Sequence, residues 1–176
     1  MNVNRDVIER LERLGLRYYV TGSWALSAYG QARQTADLDI VIDLSPDGYE
    51  RVLRPAFEGD YLVNDPIIAG RRAFGGVLHI TLVMKADLIM RWGDEWSRSA
   101  MERRVRIDHP GLGLAWCISP EDLLLAKLEW SEGVSELQLR DCRSLVRLNP
   151  DLDWEYVERY AAALGVRSLL EEIRAG

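Results

Sequence analysis

The sequence predicts an α/β domain: an α/β head over residues 1–118, with a helical region over 119–176 packed on it. Three observations predict it. As far as Ile118, short runs rich in β-branched and aromatic residues alternate with helical periodicity. Beyond Ser119 the apolar spacing is helical almost throughout, and no repeat, low-complexity tract or linker separates the two parts. With 176 residues, 48% of them hydrophobic and 28% charged, the chain is long and apolar enough to bury a sizeable core.

Val7, Ile8, Leu11 and Leu14 fall on one helical face between Asn4 and Leu14, and Gly15 ends that helix. Leu16–Thr21 reads as a strand, and Gly22-Ser23 as a tight turn into a helix over roughly Trp24 to Gly30. Leu38–Asp43 reads as a second strand. Ser45-Pro46 then caps and starts a helix that should kink or stop at Pro55. Between Tyr61 and Arg91 short strands are expected, with Gly75-Gly76 as a hairpin and Val77–Met84 and Asp87–Met90 as β-runs. Asp94–Met101 reads as a short helix, and Arg104–Ile107 with Leu114–Ile118 as a strand pair around His109-Pro110-Gly111. Ser119-Pro120-Glu121-Asp122 is a capping-box variant opening the helical region, which breaks at Gly133, Asn149-Pro150 and Gly165.

Composition excludes several classes. No apolar run reaches the ~20 residues of a membrane helix. The polar stretch from Asn2 to Arg13 is unlike a secretory signal, so a cytoplasmic location is expected. Cys117 and Cys142 lie far apart and match no zinc spacing, and neither His79 nor His109 has a ligand-spaced neighbour. They read as free thiols. A net charge of −6 argues against a general nucleic-acid binder, leaving only a local basic patch for a short stretch of RNA.

Chemistry concentrates in two segments. On a strand, Asp37 and Asp39 point the same way. Two carboxylates on one face repel unless a cation neutralises them, and Mg²⁺, with its preference for hard oxygen ligands, suits the pair. Asp43 continues that face but reads as a turn-starting residue. About 15 residues upstream, Gly22 lets a phosphate approach the backbone, and the helix start behind it presents unpaired N–H groups to which the Ser23 hydroxyl adds a donor. Arg33 and Thr35 lead into the acidic pair, as loop supports or phosphate contacts. Lys127, mid-helix among leucines, is either a snorkelling surface lysine or a phosphate contact. Arg140 and Asp141 read as a helix-surface pair, and Arg71-Arg72 with Arg103-Arg104-Arg106 as a basic rim.

The run Gly22-Ser23, helix, Arg33-Gln34-Thr35-Ala36-Asp37-Leu38-Asp39 resembles the signature of the DNA polymerase β-like nucleotidyltransferase superfamily. Its form is most similar to the small bacterial branch that includes AbiEii-type toxins. Lys85-Ala86-Asp87-Leu88 resembles that branch's third-carboxylate element, and further likeness runs to Gln138-Leu139-Arg140-Asp141. The resemblance implies a nucleotidyltransferase-type mixed sheet flanked by helices. It implies two Mg²⁺ ions on Asp37, Asp39 and Asp87, with Asp87 nearest the nucleophile, and Gly22, Ser23, Arg33, Thr35 and Lys127 as nucleotide contacts. The expected reaction moves a nucleoside monophosphate from an NTP to a hydroxyl of RNA such as tRNA, of a protein, or of a small molecule. A toxin-type role would bring a cognate antitoxin as partner. Two other readings stand beside it: a catalytically silent nucleotide- or partner-binding module of a toxin–antitoxin pair, and, with less in its favour, a metal-dependent nuclease.

Overall fold

A computed structural model describes residues 2–31 and 37–175. In chain order the elements are α1 (Val3–Arg13), β1 (Tyr18–Val20), α2 (Gly22–Tyr29), β2 (Leu38–Ile42), α3 (Pro46–Gly48), α4 (Arg54–Phe57), β3 (Tyr61–Val63), β4 (Ile67–Ala69), β5 (Arg72–His79), β6 (Lys85–Arg91), α5 (Glu95–Arg103), β7 (Val105–His109), β8 (Gly113–Cys117), α6 (Pro120–Ser131), α7 (Glu136–Leu148), α8 (Trp154–Ala163) and α9 (Arg167–Ala175). The predicted α/β class is borne out. The strands form one mixed sheet in the order β3-β5-β6-β2-β1-β8-β7, with β4 beside β5. Within it β2 runs parallel to β6, and β1 parallel to β8.

Local chemistry explains the element ends. Asn2, Asp94, Ser119 and Asp153 each accept a backbone N–H at a helix start through the side chain. Gly133 and Gly165, beyond α6 and α8, take positive φ as the predicted breaks require. Pro55 does not stop its helix: it sits in the first turn of α4. The chain instead widens into a π-helical turn over Tyr49–Leu53 between α3 and α4, which accommodates a ring that would crowd the carbonyl four residues back and has no N–H to offer it.

Gly75-Gly76 is not a hairpin. Both glycines lie inside β5, and the chain turns after His79, where Val83 takes φ 50°. Tyr49 is the reason. Its ring lies where a Cβ on Gly75 would sit, only 2.6 Å away, and its hydroxyl accepts from Gly76 N at 3.0 Å and donates to Gly76 O at 3.2 Å. The glycines admit a buried aromatic to the sheet face.

The core has two parts. One lies beneath the sheet, with Val7, Leu11, Ile40, Leu53, Val77 and Leu88. The other joins Tyr19, Leu26 and Trp96 to Leu124, Leu145 and Leu170 of the C-terminal helices. Asp122, fully buried, ties that second cluster together: it accepts from Trp96 Nε1 at 2.7 Å, Tyr156 Oη at 2.7 Å and Ser119 Oγ at 2.9 Å. Cys117 and Cys142 are buried free thiols, held protonated at neutral pH because burial pushes them up to about 11 and about 12. Among the described residues no helix is long and apolar enough to cross a membrane.

Candidate active site

Parallel pairing of β2 and β6 sets Asp39 directly opposite Asp87. Alternation does the rest: Leu38, Ile40 and Ile42 face the core, while Asp39 and Val41 stand on the half-buried face. On β6, Ala86, Leu88 and Met90 are buried, and Asp87, Ile89 and Arg91 share the face of Asp39. Asp37, exposed, leads into β2. Burial, then the charge of Asp87, then that of Asp37, raise the Asp39 carboxyl above its ordinary 3.8. The structure thus sets Asp39 beside Asp87 across two strands, with Asp37 near enough for its charge to act on Asp39.

Gly22 closes this acidic patch from above. It opens α2 with φ 61°, and a Cβ there would lie 2.1 Å from Asp39 Oδ2. Only glycine combines that backbone with so close an approach. Thr21, at the start of the turn, is locked to the strand by its N–H on Asp39 O at 2.9 Å. Ser23 is buried and does not line the adjoining cavity. Gly22→Ala is expected to keep the fold at a cost of about 1–2 kcal/mol for the left-handed backbone. Because Asp39 must swing aside, affinity for Mg²⁺ with NTP should fall at least about tenfold, equivalent to ~1.4 kcal/mol. Titration calorimetry beside a melting curve measures both.

A cavity of about 390 Å³ opens in front of the carboxylates, lined by Gly22, Asp39, Asp87, Phe74, Lys127 and Trp130. Lys127 is no snorkelling lysine. Only 3% exposed, it donates to Asp141 Oδ2 at 2.8 Å and to Gln138 Oε1 at 3.1 Å, and its charge offsets part of the upward push on Asp39. Asp141 is accordingly buried and faces Lys127, while Arg140 is exposed, so the expected surface pair does not exist. The arginines are split as well: Arg71 and Arg72 sit at β4–β5, whereas Arg104 and Arg106 stack on Trp116 at the far, β7 edge of the sheet. Arg33 and Thr35 lie outside the described residues.

Sequence reasoning passed over Lys85, Phe74 and Trp130. Lys85 Nζ meets Asp87 Oδ1 at 2.7 Å, and its signal was the two-residue spacing that puts both on one face. Trp130 follows Lys127 by three residues on α6, the helical spacing of one side. It meets Phe74 edge-on at 5.8 Å between ring centroids.

Among the described residues no three carboxylate, imidazole or thiol groups converge as a ready-made metal cluster. The donor chemistry nevertheless fits a divalent cation. Asp39 and Asp87 are hard oxygen ligands in adjacent register, and the repulsion that raises Asp39 is what a bound cation relieves.

No protein-family model matches the chain, and no curated protein matches its sequence. Solved structures match its shape. The antibiotic-resistance factor ANT(2'')-Ia superposes with a TM-score of 0.60 at 16% identity, over 99% of this chain and 98% of that one. An antigenic nucleotidyltransferase-like protein from Paracoccidioides brasiliensis gives 0.58 at 17% identity, over 97% and 89%. The lincosamide antibiotic adenylyltransferase LnuA, bound to lincomycin, gives 0.51 at 15%, over 80% and 92%. The chain has the nucleotidyltransferase fold.

Proposed function

We propose that this protein is a nucleotidyltransferase that moves a nucleoside monophosphate from an NTP to a hydroxyl of an acceptor. One observation carries the reading: Asp39 and Asp87 stand side by side on parallel strands, and Gly22 lies so close over Asp39 that any side chain there would displace its carboxylate. Asp37, Asp39 and Asp87 would hold Mg²⁺, which when bound neutralises the triphosphate and makes the acceptor hydroxyl more acidic. Gly22 presents backbone to the phosphates at the start of α2, and Lys127 contributes positive charge across the cavity. The acceptor oxygen bonds to the α-phosphorus as the bond to the β-phosphate oxygen breaks, and pyrophosphate leaves. Asp87, paired here with Lys85, would take the hydroxyl proton once Lys85 releases it. Positioning and charge neutralisation account for most of the rate in such transfers. The neighbouring structures share the fold and include an adenylyltransferase. The proposal rests on the carboxylates, not on the AbiEii-type branch, and includes neither a toxin role nor an antitoxin.

The Lys85–Asp87 ion pair favours a second reading, a nucleotide-binding module in which lysine permanently replaces the cation. Incubation with each α-labelled NTP, Mg²⁺ and a set of acceptors separates the two. Label transfer abolished in the Asp37→Ala/Asp39→Ala variant is the expected result. Tight NTP binding with no transfer to any acceptor would establish the module instead.

A further inference from the structure

The face that carries the carboxylates continues as a floor. Three cross-strand pairs follow one another on it: Gly76 opposite Asp87, Phe74 opposite Ile89, and Arg72 opposite Arg91. Four residues separate Asp87 from Arg91, about 13 Å of strand at ~3.3 Å per residue. At the arginine end lies a second cavity of about 460 Å³, walled by Arg71, Arg72, Arg91, Asp94 and Glu129 and bordered by Ala163 and Leu164 at the end of α8. Phe74 borders both cavities, so the second adjoins the first along the floor.

The charges there are unequal. Arg91 is fully engaged, with Nε on Asp94 at 3.0 Å and Ser97 at 3.1 Å, and Nη1 on Glu129 at 2.6 Å. Trp96 stacks beneath it. Arg72 pairs with Glu129 and lies over the Trp130 ring, 5.3 Å from its centroid. Glu129 and Asp94 therefore answer three guanidinium groups with two carboxylates. Arg71 carries the surplus. Its chain lies over Gly93 and one N–H is spent on Gly93 O at 2.9 Å, which holds the guanidinium in place with most of its five donors unspent on that bond.

We infer that the acceptor is a small hydroxyl compound bearing an anionic group, phosphate or carboxylate, which Arg71 and Arg72 hold while the hydroxyl reaches the carboxylate end. This deepens the proposed transfer and rests on it. A planar fork of donors matches anionic oxygens in pairs. A polycationic amine such as tobramycin would meet net positive charge at that end of the floor. With a net charge of −6, the molecule as a whole disfavours RNA as the source of the phosphate.

Inorganic phosphate is the first probe, titrated by NMR against the amides of residues 69–74 and the Arg71 Nε–H, with and without saturating Mg²⁺ and a non-hydrolysable NTP. Phosphate should perturb these signals whether or not the nucleotide is bound. Arg71→Glu should weaken phosphate at least tenfold and leave the NTP Kd within twofold. Silence at tens of millimolar phosphate overturns the inference, as does displacement by the nucleotide, which would assign the arginines to the NTP itself. Label transfer is the second arm, with glucose 6-phosphate, gluconate, a short RNA and tobramycin as acceptors. Label on the first or second supports the inference and names the anion; label confined to tobramycin or RNA sinks it, and where no label moves the phosphate titration decides. Failure of the transferase reading is a separate result, seen as absent NTP binding or as transfer indifferent to Asp39.

Discussion

Asp39→Asn is expected to abolish nucleotidyl transfer and, in the same molecule, to raise the melting temperature of the metal-free protein. Asp39 is half-buried, and burial with the charges of Asp87 and Asp37 raises its carboxyl. An acid whose folded pKa lies above its unfolded value is a liability once it ionises. The penalty is absent below the ordinary 3.8, grows as pH rises above it, and levels off once pH has passed the raised folded value. Removing the charge while keeping the shape should therefore stabilise by about 1 kcal/mol, or about 2–4 °C for a chain of this size. The sign reverses with ligand. Saturating Mg²⁺ and NTP should stabilise the parent by about 2.7 kcal/mol at a hundredfold excess over Kd and leave the variant unmoved. Melting curves at pH 7 in EDTA and in Mg²⁺ with NTP test both halves. A variant less stable than the parent in EDTA would show that the carboxylates do not strain one another.

Asp141→Asn should produce the largest loss of stability. It removes the carboxylate that accepts from Lys127, 3% exposed in a cavity wall, and leaves the neutral Gln138 as its hydrogen-bond partner. Breaking one side of a buried pair costs about 3–5 kcal/mol because the remaining charge is left uncompensated. That corresponds to roughly 6–20 °C at about 2–4 °C per kcal/mol. A Lys127→Met/Asp141→Leu double variant should recover most of the loss, since an apolar pair of similar volume needs no solvation. If the double variant is as unstable as the single one, the pair's role lies in packing or in a partner of Asp141 other than Lys127. NTP affinity in the double variant then reports what the ammonium contributes to the nucleotide, free of the folding defect.

Much of the fold was legible because it is written in local spacing. Helix caps at Ser45 and Ser119, glycine breaks at Gly133 and Gly165, and the two-residue alternation in Leu38–Ile42 all act within a few positions of one another. Asp39 on the half-buried face of β2 belongs to the same class, since alternate residues of one strand share a face by geometry alone. Where the reading failed, a distant residue had intervened. Gly75-Gly76 looked like a turn because the reason for its glycines, the Tyr49 ring, is some 26 positions away in sequence. Arg140-Asp141 looked like a surface pair because the ammonium that buries Asp141 comes from another helix.

By itself, then, the sequence determined the α/β class, the order of most elements and the alternation that sets Asp39 opposite the core face of β2, since each follows from backbone periodicity and capping within a turn or a strand. Only the tertiary structure decided that Asp87 stands beside Asp39, that Gly22 closes over it, that Lys127 is buried on Asp141, and that Arg72, with Arg71 beside the same cavity, rather than Arg104 and Arg106 lies on the carboxylate face. Strand register and helix docking set those relations. They depend on which apolar surfaces pair across the whole chain, and no local pattern of residues encodes that pairing.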